Sequence, residues 1–299
     1  MTEAGAASDA VALPRAALAG PDRRVRLVRA LRRTPAAVIG ATTIALVTLV
    51  ALAAPVRAPY DPVAQIAKPL LPPGDEYPAG TDEFGRDELS RLIHGARVSL
   101  YVGVLAVLLA LALGGTSGIV AGFHGGGIDD VTMRVMDVLQ SMPALVLAIA
   151  ITAVLGSSLT NVMLAIGIVY SPAFARVARG PTLAVVQRPY IEAVRAIGAP
   201  SPVIVLRHVL PNVAAPILVQ ATVSLSTAIL TEAALSFLGL GTQPPTASWG
   251  LMLSAARQYM LIDPWIAVLP GSAIALSVLG FNLLGDGLRD VLDPQMPAP

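Results

Sequence analysis

The sequence predicts an all-α polytopic membrane bundle of six transmembrane helices, and three observations lead there. Of 299 residues, 55% are hydrophobic and only 13% charged, whereas soluble domains carry about a quarter charged residues. The mean hydropathy is +0.72. The apolar residues gather into six runs, most of them near the roughly 20 residues that cross a hydrocarbon core of about 30 Å. Backbone amides within lipid have no water to bond, so helices rather than open strands must carry those runs.

The runs are 36–56, 99–121, 142–155, 160–178, 213–235 and 265–285. Residues 1–34, rich in Ala and small polar groups, are expected to form a disordered tail. A cleaved signal peptide ending near Ala51-Leu52-Ala53 is the alternative. The lead of some 35 residues and the apolar run of about 20 are both longer than signals have, which favours a retained first helix. Segment 57–98 divides in two. Pro59, Pro62, Pro69, Pro72, Pro73 and Pro78 impose a stiff, extended path, and 87–97 has helical spacing with Leu89, Leu92 and Ile93 on one side. It reads as a tether ending in an interfacial helix, with contact to a binding protein as the alternative.

In the second run Gly114, Gly118 and Gly122 recur every four residues, the spacing that lets two helices approach closely. The third run is the shortest. Pro172 and Pro216 can kink the fourth and fifth. Between these lies the polar stretch 180–212, read as a hairpin. Pro189 suits a first helical turn, Ile191, Val194 and Ile197 share an apolar face, and Gly198 stands where a helix ends with positive φ. Ser201 then suits an N-cap, with Pro202 opening a second short helix. The sixth run leads to a short tail, 295–299.

The formal net charge is +1, so no basic field argues for nucleic acid. The sequence has no cysteine, which excludes disulfides, thiolate metal sites and cysteine nucleophiles. A P-loop needs Lys followed by Ser or Thr, but the only lysine, Lys68, precedes Pro69. His94, His124 and His208 are expected in loops or at membrane edges and offer neither a zinc pair nor a partner for Ser117 as a nucleophile. The chain is therefore expected not to be an enzyme. With the N-terminus inside, basic residues favour the inner face, as short cytoplasmic loops do. That side collects Arg15, Arg23, Arg24, Arg26, Arg29, Arg32, Arg33, Arg134, Arg176, Arg179, Arg188, Arg195, Arg207 and Arg289; the outer side has Arg57, Lys68, Arg86, Arg91, Arg97 and Arg257. Both termini and the 180–212 hairpin are then expected in the cytoplasm.

Glu192-Ala193, followed by Gly198 and by Leu210-Pro211, resembles the EAA loop of bacterial ABC importer permeases. Three further strings are similar to the dipeptide, oligopeptide and nickel branch of that family, C-type subunit. They are Gly80-Thr81-Asp82-Glu83 through Arg97; Thr231-Glu232-Ala233 through Gly241 with Ser248-Trp249-Gly250; and Gly285-Asp286-Gly287-Leu288-Arg289-Asp290 with Leu292-Asp293-Pro294. The likeness covers about 35–294.

That resemblance implies a type I importer permease in a bacterial inner membrane, forming half of a path for dipeptides or short oligopeptides. Nickel, glutathione or another small solute is the alternative. It implies cytoplasmic ATPase subunits carrying ATP and Mg²⁺, a second permease subunit of the B type, and an extracytoplasmic substrate-binding protein, with no cofactor or metal held by this chain. Glu192, Ala193, Arg195, Gly198, Pro202, Leu210 and Pro211 are the expected contacts to the ATPase. Gln220, Ser224, Thr227 and Glu232 are candidates for lining the path or gate. An ion-coupled secondary transporter is the distant alternative; it predicts midplane charges, which the runs lack.

Overall fold

The computed structural model describes residues 34–292. The expected tails at 1–34, save Thr34, and at 295–299 lie outside that range, as do Asp293 and Pro294. Five long helices carry apolar windows sufficient to cross a membrane: α1 (Pro35–Arg57), α2 (Glu88–His124), α5 (Leu159–Val186), α7 (Ser201–Phe237) and α9 (Trp265–Leu292). The third expected span is not one straight helix. It is a bent pair, α3 (Gly126–Gln140) and α4 (Ala144–Leu155), meeting at 89°. At 12 residues, α4 alone is about 18 Å long, too short to cross. Pro143, extended at ψ 132°, supplies no N–H and blocks helical continuation from Met142, so the chain turns there. Two short helices complete the fold, α6 (Pro189–Ala196) and α8 (Trp249–Ala256).

Two expected short helices also prove to be parts of longer ones. The helix foreseen at 87–97 is not a separate interfacial element: it is the start of α2, which continues through a π turn at Leu111–Gly115. The second short helix of the hairpin likewise runs without a break through a π turn at Val205–Val209 into α7. In both places charged or polar residues interrupt the apolar run while the backbone ladder continues, because helix length is not limited by membrane thickness.

The three glycines of α2 meet α5 in register. A Cβ at Gly114 would overlap the carbonyl oxygen of Ser171, one at Gly118 that of Ala175, and one at Gly122 would lie against that of Arg179. Both rows advance four residues at a time, so the helices pack ridge to groove at backbone contact. Ionic contacts then fasten α3 to α5. Asp129 takes a two-pronged contact from Arg179, at 2.5 Å to each oxygen, and Arg176 meets Asp137 at 2.6 Å. Buried apolar residues form two clusters. One joins Val102 of α2, Phe174 of α5 and Val213 of α7; the other joins Ala51 of α1, Ile229 of α7, Trp249 of α8 and Phe281 of α9.

The Pro-rich stretch between α1 and α2 is a folded cap rather than a tether. Asp82, 1% exposed, is its hub: Oδ1 accepts from the backbone N–H of Phe84 and Arg86 at 2.8 and 2.9 Å. Its Oδ2 meets Arg86 at 2.5 Å and Arg91 at 3.2 Å. Arg91 also donates to the carbonyl of Pro62 at 3.0 Å. Asp87 caps α2 by accepting from the N–H and hydroxyl of Ser90. Six prolines offer no N–H, so these side-chain contacts supplement the backbone bonds that remain, from Ile66 and Ala67 to Gly85, Leu70 to Asp82 and Thr81 to Leu71.

Gly118→Val is expected to push α2 off α5 and lower stability by about 1–3 kcal/mol. Gly180→Ala, whose Cβ meets nothing within 4 Å, should melt no lower than the parent. Thermal unfolding of the detergent-purified proteins checks this; equal melting for Gly118→Val would contradict the packing.

Candidate functional site

The α6 elbow is built by local rules. Arg188 is extended and Pro189 opens the helix, since its missing N–H would be unpaired there anyway. At the other end Gly198, at φ +80°, donates to the carbonyl of Arg195 at 2.9 Å, and Ala199 to that of Val194 at 3.3 Å. These two bonds are the Schellman motif that needs a left-handed residue after the helix. No other atom crowds Gly198; backbone conformation alone demands glycine there.

Ile191 is fully buried and anchors α6, while Ile204, Val209 and Val213 bury the adjoining arm of α7. Arg195 places its guanidinium 5.3 Å from the ring centre of Phe123 at the end of α2. Tyr190 and His208 bring their rings to 5.9 Å across the turn. Every residue foreseen as a partner contact, Glu192, Ala193, Arg195, Gly198, Pro202, Leu210 and Pro211, is exposed. Leu210 and Pro211 lie over two turns along α7 from Ser201. Ile197 was expected on the apolar face but is 84% exposed; it is the residue at which the helix has already ended, so the 3.6 period no longer applies. Pro200, not Ser201, precedes the second arm.

A second feature lies on the middle of α7. Gln220, Ser224 and Thr227 line a cavity of about 340 Å³ together with Tyr170 of α5 and Gln140 and Met142 at the α3–α4 bend. Gln220 donates to Ser224 at 3.0 Å. The spacing of four and three puts these three on one helix face. Towards the elbow, a cavity of about 670 Å³ shares Gln220 and Val223 and reaches Arg289 of α9. Hydroxyls at Thr222 and Ser226 take the opposite role. Ser226 donates to Asn282 of α9 at 2.7 Å, and Thr222 packs against Gly285.

Glu232 stands apart from the other three. Expected to line the path or gate, it is fully buried and lines neither cavity. Its carboxylate accepts from Ser99 of α2 at 2.9 Å and Ser236 at 2.8 Å. Ser236 accepts in turn from the N–H of Thr242 at 3.1 Å, and Trp249 donates to the carbonyl of Leu92 at 3.0 Å. This constellation pins the cap end of α7 to α2 and to the loop before α8. Sequence reasoning could not find Ser99, 133 residues away. The histidines all sit on helices, with His94 and His124 each against the carbonyl four residues before it.

Residues 114–297 match the family described as binding-protein-dependent transport system inner membrane component. Residues 25–73 match the N-terminal TM domain of oligopeptide transport permease C. The chain is 48% identical over 258 residues to the di/tripeptide transport system permease protein DppC of Pseudomonas aeruginosa (strain UCBPP-PA14), covering 84% of this chain and 85% of that one. It is 44% identical to the dipeptide transport system permease protein DppC of Alkalihalophilus pseudofirmus, with 89% and 88% covered. The glutathione transport system permease protein GsiD of Escherichia coli O1:K1 / APEC is 46% identical, with 90% and 89% covered. In fold, the chain is similar to a chain of the inward-facing MetNI methionine ABC transporter, at a TM-score of 0.53 and 19% identity, over 67% of this chain and 95% of that one.

Glu232→Ala leaves the buried hydroxyls of Ser99 and Ser236 without their acceptor and is expected to destabilise by about 1–3 kcal/mol. Glu232→Gln keeps one acceptor oxygen and should lose less. Unfolding midpoints of the purified variants test the order; a Glu232→Ala protein as stable as the parent would remove the pinning role.

Proposed function

The chain belongs to the family of binding-protein-dependent transport system inner membrane components, and from that premise we propose that it carries di- and tripeptides, with its elbow as the point where force enters. It is a multi-pass inner-membrane permease subunit of an ATP-binding-cassette importer. The elbow faces the cytoplasm, as do both termini. One of two ATPase subunits, which hold ATP and Mg²⁺, seats α6; a B-type permease completes the path; an extracytoplasmic binding protein delivers the cargo.

The observation that carries this reading is the continuity of α7. One helix bears the elbow's second arm at one end and the Gln220, Ser224 and Thr227 face in its middle, so displacement at the elbow is displacement of the path wall. Exposed Ile197, Val203 and Leu206, beside Glu192 at the positive end of the α6 dipole, give the elbow both apolar area and charge for a partner. Ala193 keeps that face shallow. The cavity of about 340 Å³ has no charged residue in its wall, which suits a zwitterionic peptide that must leave again. Glutathione is the second reading, supported by the GsiD relative at 46% identity. Competition among dipeptide, tripeptide and glutathione in the uptake assay separates the two.

In proteoliposomes holding the assembled importer, Glu192→Arg is expected to cut ATP-driven peptide uptake by about tenfold or more, since a like-charge contact across an interface costs several kcal/mol. Gly198→Val should weaken coupling through a conformation costing about 1–2 kcal/mol. Uptake at parental rates in both variants, in complexes that assemble normally, would refute the elbow's role.

A further inference from the structure

At the cap end of the bundle, away from both sites above, a cavity of about 490 Å³ opens between α2, the cap, the first residue of α5 and the loop before α8. Val63, Val98, Leu159 and Ala247 form its apolar walls, with Arg97 and Tyr101 beside them. Arg86 and Arg91 of the same end are consumed by Asp82 and Glu83. Arg97 is exposed, and no described carboxylate lies within ion-pair distance of it.

Below Arg97 the exposed face of α2 continues through Tyr101, Val104 and Leu108, which are 53%, 42% and 53% exposed. Intervals of four, three and four residues keep them in one stripe. From Arg97 to Leu108 the helix rises about 16 Å, close to half a hydrocarbon core of about 30 Å, which is the depth of one leaflet. Arg and Tyr stand at the top, where headgroups lie and where such amphipathic side chains belong. A small soluble anion would use the arginine and leave the stripe unused; an amphiphile uses both.

We propose that this cavity and stripe bind a membrane phospholipid with an anionic headgroup, its phosphate on Arg97 and an acyl chain along Tyr101, Val104 and Leu108. The site does not depend on which face of the membrane the cap occupies. It would hold the cap, α2 and the α7–α8 loop in one arrangement at the bilayer surface.

Native mass spectrometry of the assembled importer, titrated with phosphatidylglycerol or phosphatidylethanolamine, tests it. Phosphatidylglycerol is expected to be retained preferentially. Arg97→Gln should lower that preference roughly fivefold, Arg97→Lys should keep most of it, and Arg257→Gln, at another exposed arginine, should leave it unchanged. On the parental complex, inorganic phosphate or glycerophosphoglycerol at equal concentration should fail to displace the lipid, a comparison that stands even if Arg97→Gln does not assemble. Displacement by either would mean a simple anion site and overturn the proposal. So would unchanged lipid retention in Arg97→Gln, or a photo-crosslinker at Tyr101 that captures the second permease subunit instead of lipid.

Discussion

A single helix, α7, runs unbroken for 37 residues from Ser201 to Phe237, and the rest of the structure depends on that continuity. At 1.5 Å per residue it is about 55 Å long, nearly twice what a hydrocarbon core requires. Each end is put to use: one is the second arm of the elbow, and the other carries the buried carboxylate of Glu232. Between them lie Gln220, Ser224 and Thr227 on one face and Thr222 and Ser226 on another, the first set open to a cavity and the second turned to α9. The backbone ladder along its length is altered at the π turn of Val205–Val209 and at Pro211 and Pro216, all on the elbow side of Gln220.

The two ends of α7 are held very differently. At the cap end, Glu232, Ser236, Ser99 and Trp249 are all buried and bonded across three elements. At the elbow end most side chains are exposed and the anchors are few, Ile191, Ile204 and Val209. A push at the elbow therefore meets least resistance near where it is applied and most near Glu232. The body beside α7 is equally defined: α2 and α5 in backbone contact through Gly114, Gly118 and Gly122, with α3 tied on by Asp129 and Asp137.

Much of this was legible in the sequence wherever the signal was local. Apolar runs placed the long helices, because lipid admits little else. Gly198 was read as a helix terminator and has the φ and both bonds of one; the glycine row of α2 was read as a packing surface and is one. What escaped was set by distance. Asp82, Arg86 and Arg91 are near one another in the chain, but their burial depends on the distant Pro62 and the rest of the cap folding over them. Glu232 reads as a candidate for the path or gate because its partner Ser99 belongs to another helix, 133 residues away. The bend at Pro143 hid the fact that α3 and α4 act as a pair, since α3 has too few apolar residues to register as a span. Arg207, His208 and Asn212 made the elbow's second arm look separate, although hydrogen bonding along the backbone does not stop where polar side chains begin.

The central claim is that force reaches the bundle through the elbow, and site-directed cross-linking from Ala193 addresses it most directly. With a cysteine at that position in the assembled importer, the account predicts a cross-link to the ATPase subunit whose yield changes when ATP binds, and labelling by a membrane-impermeant thiol reagent only from the cytoplasmic side. An elbow that cross-links to no ATPase in either state, or that reacts with the reagent from outside, would contradict it.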